Sequence, residues 1–532
     1  MSSGDPRPVL IGGHWRAARA AGHFRAANPQ TRKPIGPLYP VSTREDVDDA
    51  LRAGIEAAGE IARASAERIA AFLETFARNI ESAGPDLVRS AHEETALPAS
   101  PRLADVELPR TTDQIRQAAA AVKSRSWTMP TIDTKADIRS MYGPLGGPVA
   151  VFGPNNFPFA FNSIAGGDFA AAVAAGNPVI AKANPGHPRT TEMLARLAHE
   201  ALLDIDLPPA VVQLLYMMSN EDGERFVSHP SIAATAFTGT RSSALALKRA
   251  ADRAGKLFYM ETGGVNPVVI LPGALRERLP ETVEELAGSC LLGTGQFCTQ
   301  PGLVLLLAGD TTEDFVSNLI RRFEESPTGT LLGEGVERNL ERSVEGLMKA
   351  GAERLTGGSR QPAEGFGFQN TLLRVDGDRF LKNPLNFQRE AFGNETLLVI
   401  AHDTAELVDV LGALDGNLTG SIYTSRDKGE DALYAQVARI LRRKVGRLLN
   451  DKMPTGVAVS PAMNHGGPYP AASHPGFTAV GMPPAILRFA ALHCYDNVRE
   501  HRLPVELKDK NLTGRLWRRV DGEWTRGDIT RV

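Results

Sequence analysis

From Pro144 onward, short apolar runs alternate with amphipathic stretches, and this alternation narrows the possible folds more than any other feature. Val149-Ala150-Val151-Phe152 is an unbroken apolar strand closed by Gly153-Pro154. An Ala-rich helix over 165–175 ends at Gly176, and Pro178-Val179-Ile180-Ala181 begins the next strand. Helices over 190–203, 222–227 and 242–254 then separate strands over 211–217, 233–237 and 256–260. Short Val/Ile/Leu runs without polar alternation are strands buried on both faces. Strand-helix alternation of this kind specifies an α/β domain with a mainly parallel sheet. Such sheets bind ligands at the carboxyl ends of their strands.

A second α/β stretch opens at Pro267-Val268-Val269-Ile270-Leu271. It takes in strands over 302–308 and 396–401 and a helix over 312–325, and it closes near 445–450. Two such units fit the length: 532 residues exceed the roughly 250–300 that one core supports. Ahead of them, Gly12-Gly13 predicts a hairpin over 9–16, Thr43 is placed to cap a helix over 47–64, and helical pattern continues over 68–92. The polar, Pro-broken stretch 123–139 is expected to be an exposed arm. The tail beyond Pro504 is polar, and Asp521-Gly522 predicts a hairpin over 517–524.

Bulk properties exclude several functions. Lys plus Arg number 59 against 62 Asp plus Glu, so a nucleic-acid partner is not expected. Apolar runs such as 303–308 are far short of the roughly 18 residues that cross a membrane. Met1-Ser2-Ser3-Gly4-Asp5-Pro6 has no apolar leader segment. Three cysteines without zinc-ligand spacing suggest neither a disulfide framework nor a metal site, and a reducing cytoplasm suits them.

The chemistry begins with Cys298, in Thr294-Gly295-Gln296-Phe297-Cys298. Most lone cysteines are small buried hydrophobes, and Cys290 and Cys494 keep that reading. Gly293 and Gly295 set Cys298 apart by permitting a tight loop. A loop thiol near a helix start is expected to ionise readily, and a thiolate attacks aldehydes well. Glu261 ends an apolar strand against Gly263-Gly264; it is either a cap of the following turn or a general base for water. In Phe152-Gly153-Pro154-Asn155-Asn156, an amide could hold an oxyanion, worth roughly 3–4 kcal/mol when such a donor is lost. Lys182 closes its strand where a cofactor ribose or phosphate would sit. Phe237-Thr238-Gly239-Thr240-Arg241-Ser242 leads a strand into a helix, which suits a pyrophosphate. Phe159, Phe161, Phe297 and Phe477 are candidates for an apolar substrate wall, and equally for core.

In this order the segments resemble the aldehyde dehydrogenase superfamily, over about 11–495. The resemblance identifies Asn156 as oxyanion donor, Glu261 as general base and Cys298 as nucleophile. It places Phe152, Lys182, Gly239, Thr240, Glu390 and Phe392 on a nicotinamide cofactor, with Glu390 at the ribose and Phe392 beside the ring. It implies NAD(P)-dependent oxidation of an aldehyde to a carboxylate through a thiohemiacetal and a thioester. The implied fold is two Rossmann-like α/β domains plus a β-strand oligomerisation arm. On that pattern 1–126 and 145–260 form the cofactor domain, 127–144 the arm, 261–460 the catalytic domain, and 461–532 a return and oligomerisation tail. A homodimer or homotetramer is implied.

Val149 to Pro158, Gly166-Gly167-Asp168 and His465-Gly466-Gly467-Pro468 are most similar to the 2-oxoglutarate semialdehyde and NADP-dependent fatty-aldehyde dehydrogenases. The substrate is thus expected to be 2-oxoglutarate semialdehyde or a medium- or long-chain aldehyde. Two departures bear on the cofactor. Ala244 stands where the family usually has glycine, and is expected to tighten the nucleotide fit. Pro185 replaces a glutamate that favours NAD, so NADP is weakly favoured while NAD remains acceptable. No arginine occurs in 215–220 to grip a 2′-phosphate. A CoA-acylating dehydrogenase and a catalytically idle binding protein on the same fold are the alternatives.

Overall fold

The computed structural model describes residues 5–361, 364–511 and 514–530. The first four residues of the amino-terminal segment discussed above lie outside them.

The first sheet has seven strands, and its five parallel members run Leu257–Glu261, Ala234–Thr238, Val149–Phe152, Val179–Lys182, Val212–Leu215 across the sheet. In chain order these are the fifth, fourth, first, second and third, so the winding reverses between Val149–Phe152 and Ala234–Thr238. A crevice opens outside the carboxyl ends of strands at such a reversal, here beside Phe152 and Thr238. The predicted hairpin, Val9–Ile11 with His14–Arg16, closes the far edge, with Leu10 opposite Leu214.

The second sheet also has seven strands, in the order Glu353–Thr356, Thr371–Asp376, Glu395–Ala401, Leu303–Leu307, Val268–Ile270, Asn417–Tyr423, Val445–Asn450. All are parallel except the first. The predicted strands of both units therefore exist, and Val445–Asn450 has the expected bounds. The predicted helix over 68–92 is two, Ala66–Ser82 and Gly84–Thr95, the second opening on Pro85. Thr43 stands at the cap position of Arg44–Ile61, but its hydroxyl makes no capping bond. The pattern did not disclose the helices Leu108–Ser124, Pro272–Leu291 and Glu334–Ala350, nor the strand Asn417–Tyr423. Pro272–Leu291 carries Pro280 and kinks at Arg278, which breaks its periodicity.

The arm does not stand alone. Its strands Thr131–Asp133 and Ile138–Pro144 join Ala490–Asp496 and the tail hairpin Arg518–Val520 with Glu523–Thr525 in one five-stranded sheet. Ile132, Met141, Leu503 and Leu507 pack beneath it. Lys123 belongs to the preceding helix rather than to the arm. No helix among the described residues is long and apolar enough to cross a membrane.

Candidate active site

Between the two seven-stranded sheets lies a cavity of about 650 Å³. All nine residues singled out from sequence line it: Phe152, Asn156, Lys182, Gly239, Thr240, Glu261, Cys298, Glu390 and Phe392. On the first sheet, Phe152 and Lys182 stand opposite each other at strand ends. Burial lowers the Lys182 pKa to about 8. Thr240 caps the helix Arg241–Arg253, accepting from the Ser243 amide at 3.5 Å. That helix turns its amino end into the cavity, a favourable position for an anion.

Glu261 ends the edge strand, and the chain crosses from there into the second unit. Two features hold this crossing against the thiol loop. Asn266, at φ +41°, donates its amide to the carbonyls of Cys298 and Gln300 at 2.9 and 3.0 Å. Asn417 Oδ1 in turn accepts from the Val265 and Asn266 amides at 2.9 and 3.0 Å. Close approach also dictates the glycines. A Cβ on Gly263 would lie 1.6 Å from Glu390 Oε1, and one on Gly295, at φ +67°, would lie 2.1 Å from the Gly393 carbonyl. Base, thiol and the Glu390 segment are therefore held close to one another, through the Glu390 carboxylate at Gly263 and the Gly393 backbone at Gly295.

Sequence reasoning missed the residue that joins them. His465 Nε2 lies 2.7 Å from Glu261 Oε1 and 3.6 Å from Cys298 Sγ. The reactive atoms of the three residues all fall within 4.8 Å of one another. His465 is 2% exposed, and Glu261 Oε2 is buried with no hydrogen-bond partner among the described residues. The only sequence signal was a histidine ahead of Gly466-Gly467, and nothing in its spacing linked it to 261 or 298.

The expectation of a readily ionised thiol is overturned. No helix starts at Cys298; the next regular element is the strand Leu303–Leu307. Burial, then the charges of Glu261 and Glu390, push its pKa well above the ordinary thiol value. A donor beside the sulfur therefore matters for its ionisation, and His465 Nε2 at 3.6 Å is placed to be one. Burial also raises Glu390, to about 7.

Other details differ from expectation. Asn156 gives one amide proton to the Gln296 carbonyl at 2.9 Å. Ala244 is fully buried in the first core and does not line the cavity, so its methyl does not tighten a nucleotide there. Pro185 is exposed and does not line the cavity. Asn184 lines it instead, folded back onto the Gly153 carbonyl and the Gly186 amide at 3.1 and 3.0 Å. Ser219, Asn220 and Glu224 complete that end. Of the proposed apolar wall, Phe161 and Phe297 pack with Phe157, whereas Phe159 is core and Phe477 packs on Tyr259.

A crevice at the winding reversal, with Glu261 at the end of the first sheet's edge strand and Cys298 brought to it by the second α/β unit, suits a dinucleotide-dependent oxidoreductase. Residues 15–446 match the aldehyde dehydrogenase family, and the chain belongs to it. It oxidises aldehydes with NAD(P). It is 36% identical to alpha-ketoglutaric semialdehyde dehydrogenase 2 of Azospirillum brasilense, over 94% of this chain and 96% of that one. It is 33% identical to alpha-ketoglutaric semialdehyde dehydrogenase of Acinetobacter baylyi, over 96% and 97%. Among solved structures, lactaldehyde dehydrogenase from Escherichia coli shares the fold with TM-score 0.80 at 22% identity, covering 92% of this chain and 99% of that one.

Proposed function

We propose that the chain oxidises a short aldehyde carrying a distal carboxylate, 2-oxoglutarate semialdehyde, with Cys298 as nucleophile and Glu261 as base. The observation that carries this reading is the contact chain from Cys298 Sγ through His465 Nε2 to Glu261 Oε1. The names of the two Azospirillum and Acinetobacter relatives support the substrate.

His465 Nε2 lies 2.7 Å from Glu261 Oε1 and so donates its proton to that carboxylate; the same N–H, 3.6 Å from the sulfur, stabilises the Cys298 thiolate once the thiol proton has passed to solvent. The thiolate attacks the aldehyde carbon, and Asn156 Nδ2 with the Cys298 backbone N–H holds the oxyanion. The cofactor fits the cavity's donor set, with Lys182, the amino end of the Thr240-capped helix and Glu390 holding it. Bound there, the nicotinamide supplies the hydride acceptor, and a thioester remains on Sγ. The unpartnered Glu261 Oε2 then takes a proton from water, which cleaves the thioester. This base favours hydrolysis over transfer to CoA.

His465 is thus a positioning residue, an N–H donor to both the carboxylate and the sulfur. In His465→Leu, which removes the N–H donor, iodoacetamide should alkylate Cys298 at pH 7 at least about 10-fold more slowly than in wild type. The raised thiol pKa fixes the sign of the pH profile: thiolate accumulates only as pH rises, so the variant's rate should climb steeply into the alkaline range. Equal rates and profiles in both proteins would remove His465 from the step.

NADP is weakly favoured, since Lys182 and Asn184 offer donors at the far end of the cavity, against the single carboxylate of Glu224. The experiment for substrate and cofactor together is kcat/KM for 2-oxoglutarate semialdehyde, pentanal and octanal, each with NADP and NAD. The acid should lead by at least about 10-fold, as expected of a site that pairs a substrate charge. Octanal in the lead would instead assign the Phe157, Phe161 and Phe297 box to a fatty chain. A higher value with NAD would refute the cofactor reading.

We also infer a homodimer or homotetramer. The arm sheet leaves Met129, Ile138, Leu492, Trp517 and Trp524 between 39% and 61% exposed, and its edge strands are open. Apolar surface and open edges of this kind are normally covered. Light scattering at micromolar protein should give two or four chain masses; a monomer mass would contradict it. The free thiols suit the cytoplasm, and recovery in a soluble cytoplasmic fraction checks that.

A further inference from the structure

Three arginines surround the thiol and its aromatic box, and two of them are held by polar partners. Arg102 pairs with Glu107, donates Nη2 to the Asn156 carbonyl at 3.0 Å, and lies over the Phe157 ring at 4.4 Å. Arg447 donates Nη1 to the Gly456 carbonyl at 3.2 Å and Nη2 to that of Pro454. Arg102 leaves only its Nε buried without a partner among the described residues, and Arg110 is less satisfied. Its Nε and Nη2 are buried and have no hydrogen-bond partner among the described residues. Its guanidinium meets ring faces instead, of Phe157 at 5.8 Å and Phe161 at 5.5 Å.

Phe161 is the ring that packs on His465, at 5.7 Å between centroids. Arg110 therefore stands one ring away from the Cys298–His465–Glu261 cluster, and its charge is felt at the thiol. Glu107, the nearest acid on its own segment, is already occupied by Arg102 and by the backbone amides of Phe159 and Ala160, at 2.9 and 3.0 Å. A buried guanidinium with unmet N–H groups is costly, and two ring faces compensate only in part. A carboxylate would satisfy it, since the planar fork can donate to both of its oxygens.

We propose that Arg110 anchors the distal carboxylate of the substrate while the aldehyde carbon reaches Cys298. This rests on the acidic-aldehyde reading above and names the residue that would impose it. The adjoining box of Phe157, Phe161 and Phe297 would hold the methylene chain between the two ends.

The test uses two aldehydes of one chain length, glutaric semialdehyde and pentanal, with the full-length enzyme and NADP. The readout is the ratio of their kcat/KM values. In Arg110→Met the ratio should fall at least about 100-fold, chiefly through KM for the acid, as loss of a charge-assisted bidentate pair predicts. Arg110→Lys keeps the charge without the fork and should fall about 10-fold. It also keeps the test open if the Met variant does not fold. Glutarate, a product-like diacid without an aldehyde, should inhibit wild-type oxidation of pentanal and lose potency in step. An unchanged ratio, or equal losses on both aldehydes, overturns the proposal; equal losses would mean that Arg110 acts on the thiol instead. If wild type oxidises glutaric semialdehyde as well as the 2-oxo acid, and the ratio still falls in the variants, the 2-oxo substrate is removed but Arg110 stands. If wild type prefers pentanal, both readings fail.

Discussion

Cys298→Ala should lose aldehyde oxidation by at least about 10⁴-fold, because the covalent intermediate cannot form without the thiol. Cofactor binding should survive, since the groups proposed to hold it lie on the first sheet and at Glu390. Neither remaining cysteine can substitute. Cys290 is fully buried, with its thiol pushed up to about 12 by that burial. Cys494 is on the arm strand Ala490–Asp496. Cys290→Ala and Cys494→Ala should therefore stay active. Steady-state rates and cofactor fluorescence quenching on the three variants check this. Substantial activity in Cys298→Ala would remove the nucleophile assignment.

Glu261→Gln should separate the two halves of the reaction. The amide keeps the size of the side chain and a contact for His465, but Oε2 no longer accepts a proton from water. A burst of about one reduced cofactor per site should precede turnover slowed by at least about 100-fold. Hydroxylamine, which cleaves thioesters without a base, should restore part of the rate. CoA should not accelerate the wild type. Stopped-flow absorbance of the reduced cofactor reads all of these. A normal steady-state rate would take Glu261 out of the mechanism, and acceleration by CoA would favour the acylating alternative.

Much of this architecture was legible because parallel strands buried on both faces must be apolar throughout. Val149–Phe152 and Leu303–Leu307 announce themselves for that reason. Asn417–Tyr423 did not. All seven of its residues are buried, yet Asn417, Thr419 and Ser421 interrupt the apolar run. Asn417 and Thr419 are satisfied by partners 152 and 153 positions away, the Val265 amide and the Asn266 side chain. Seven of the nine cavity residues were legible because each sits at a strand end or in a glycine turn, whereas Glu390 and Phe392 lie in an irregular segment and were reached only through the family resemblance. His465 and Arg110 were not legible, because both act through spatial neighbours. His465 meets Glu261 across 204 positions of chain. Nothing in the sequence around Arg110 separates it from an ordinary solvated charge, and only the rings of Phe157 and Phe161 do so. The thiol's ionisation was misread for the same reason: local glycines suggested an open loop, whereas its surroundings are two carboxylates and a buried wall.

The central claim is that oxidation passes through a thioester on Cys298 whose release depends on Glu261. Acid-quenched Glu261→Gln, mixed for a single turnover with glutaric semialdehyde and NADP, tests it by peptide mass spectrometry. The account predicts that the peptide containing Cys298 gains the mass of the acyl group, in amount equal to the burst. Reduced cofactor formed with no adduct, or an adduct on Cys290 or Cys494, would contradict it.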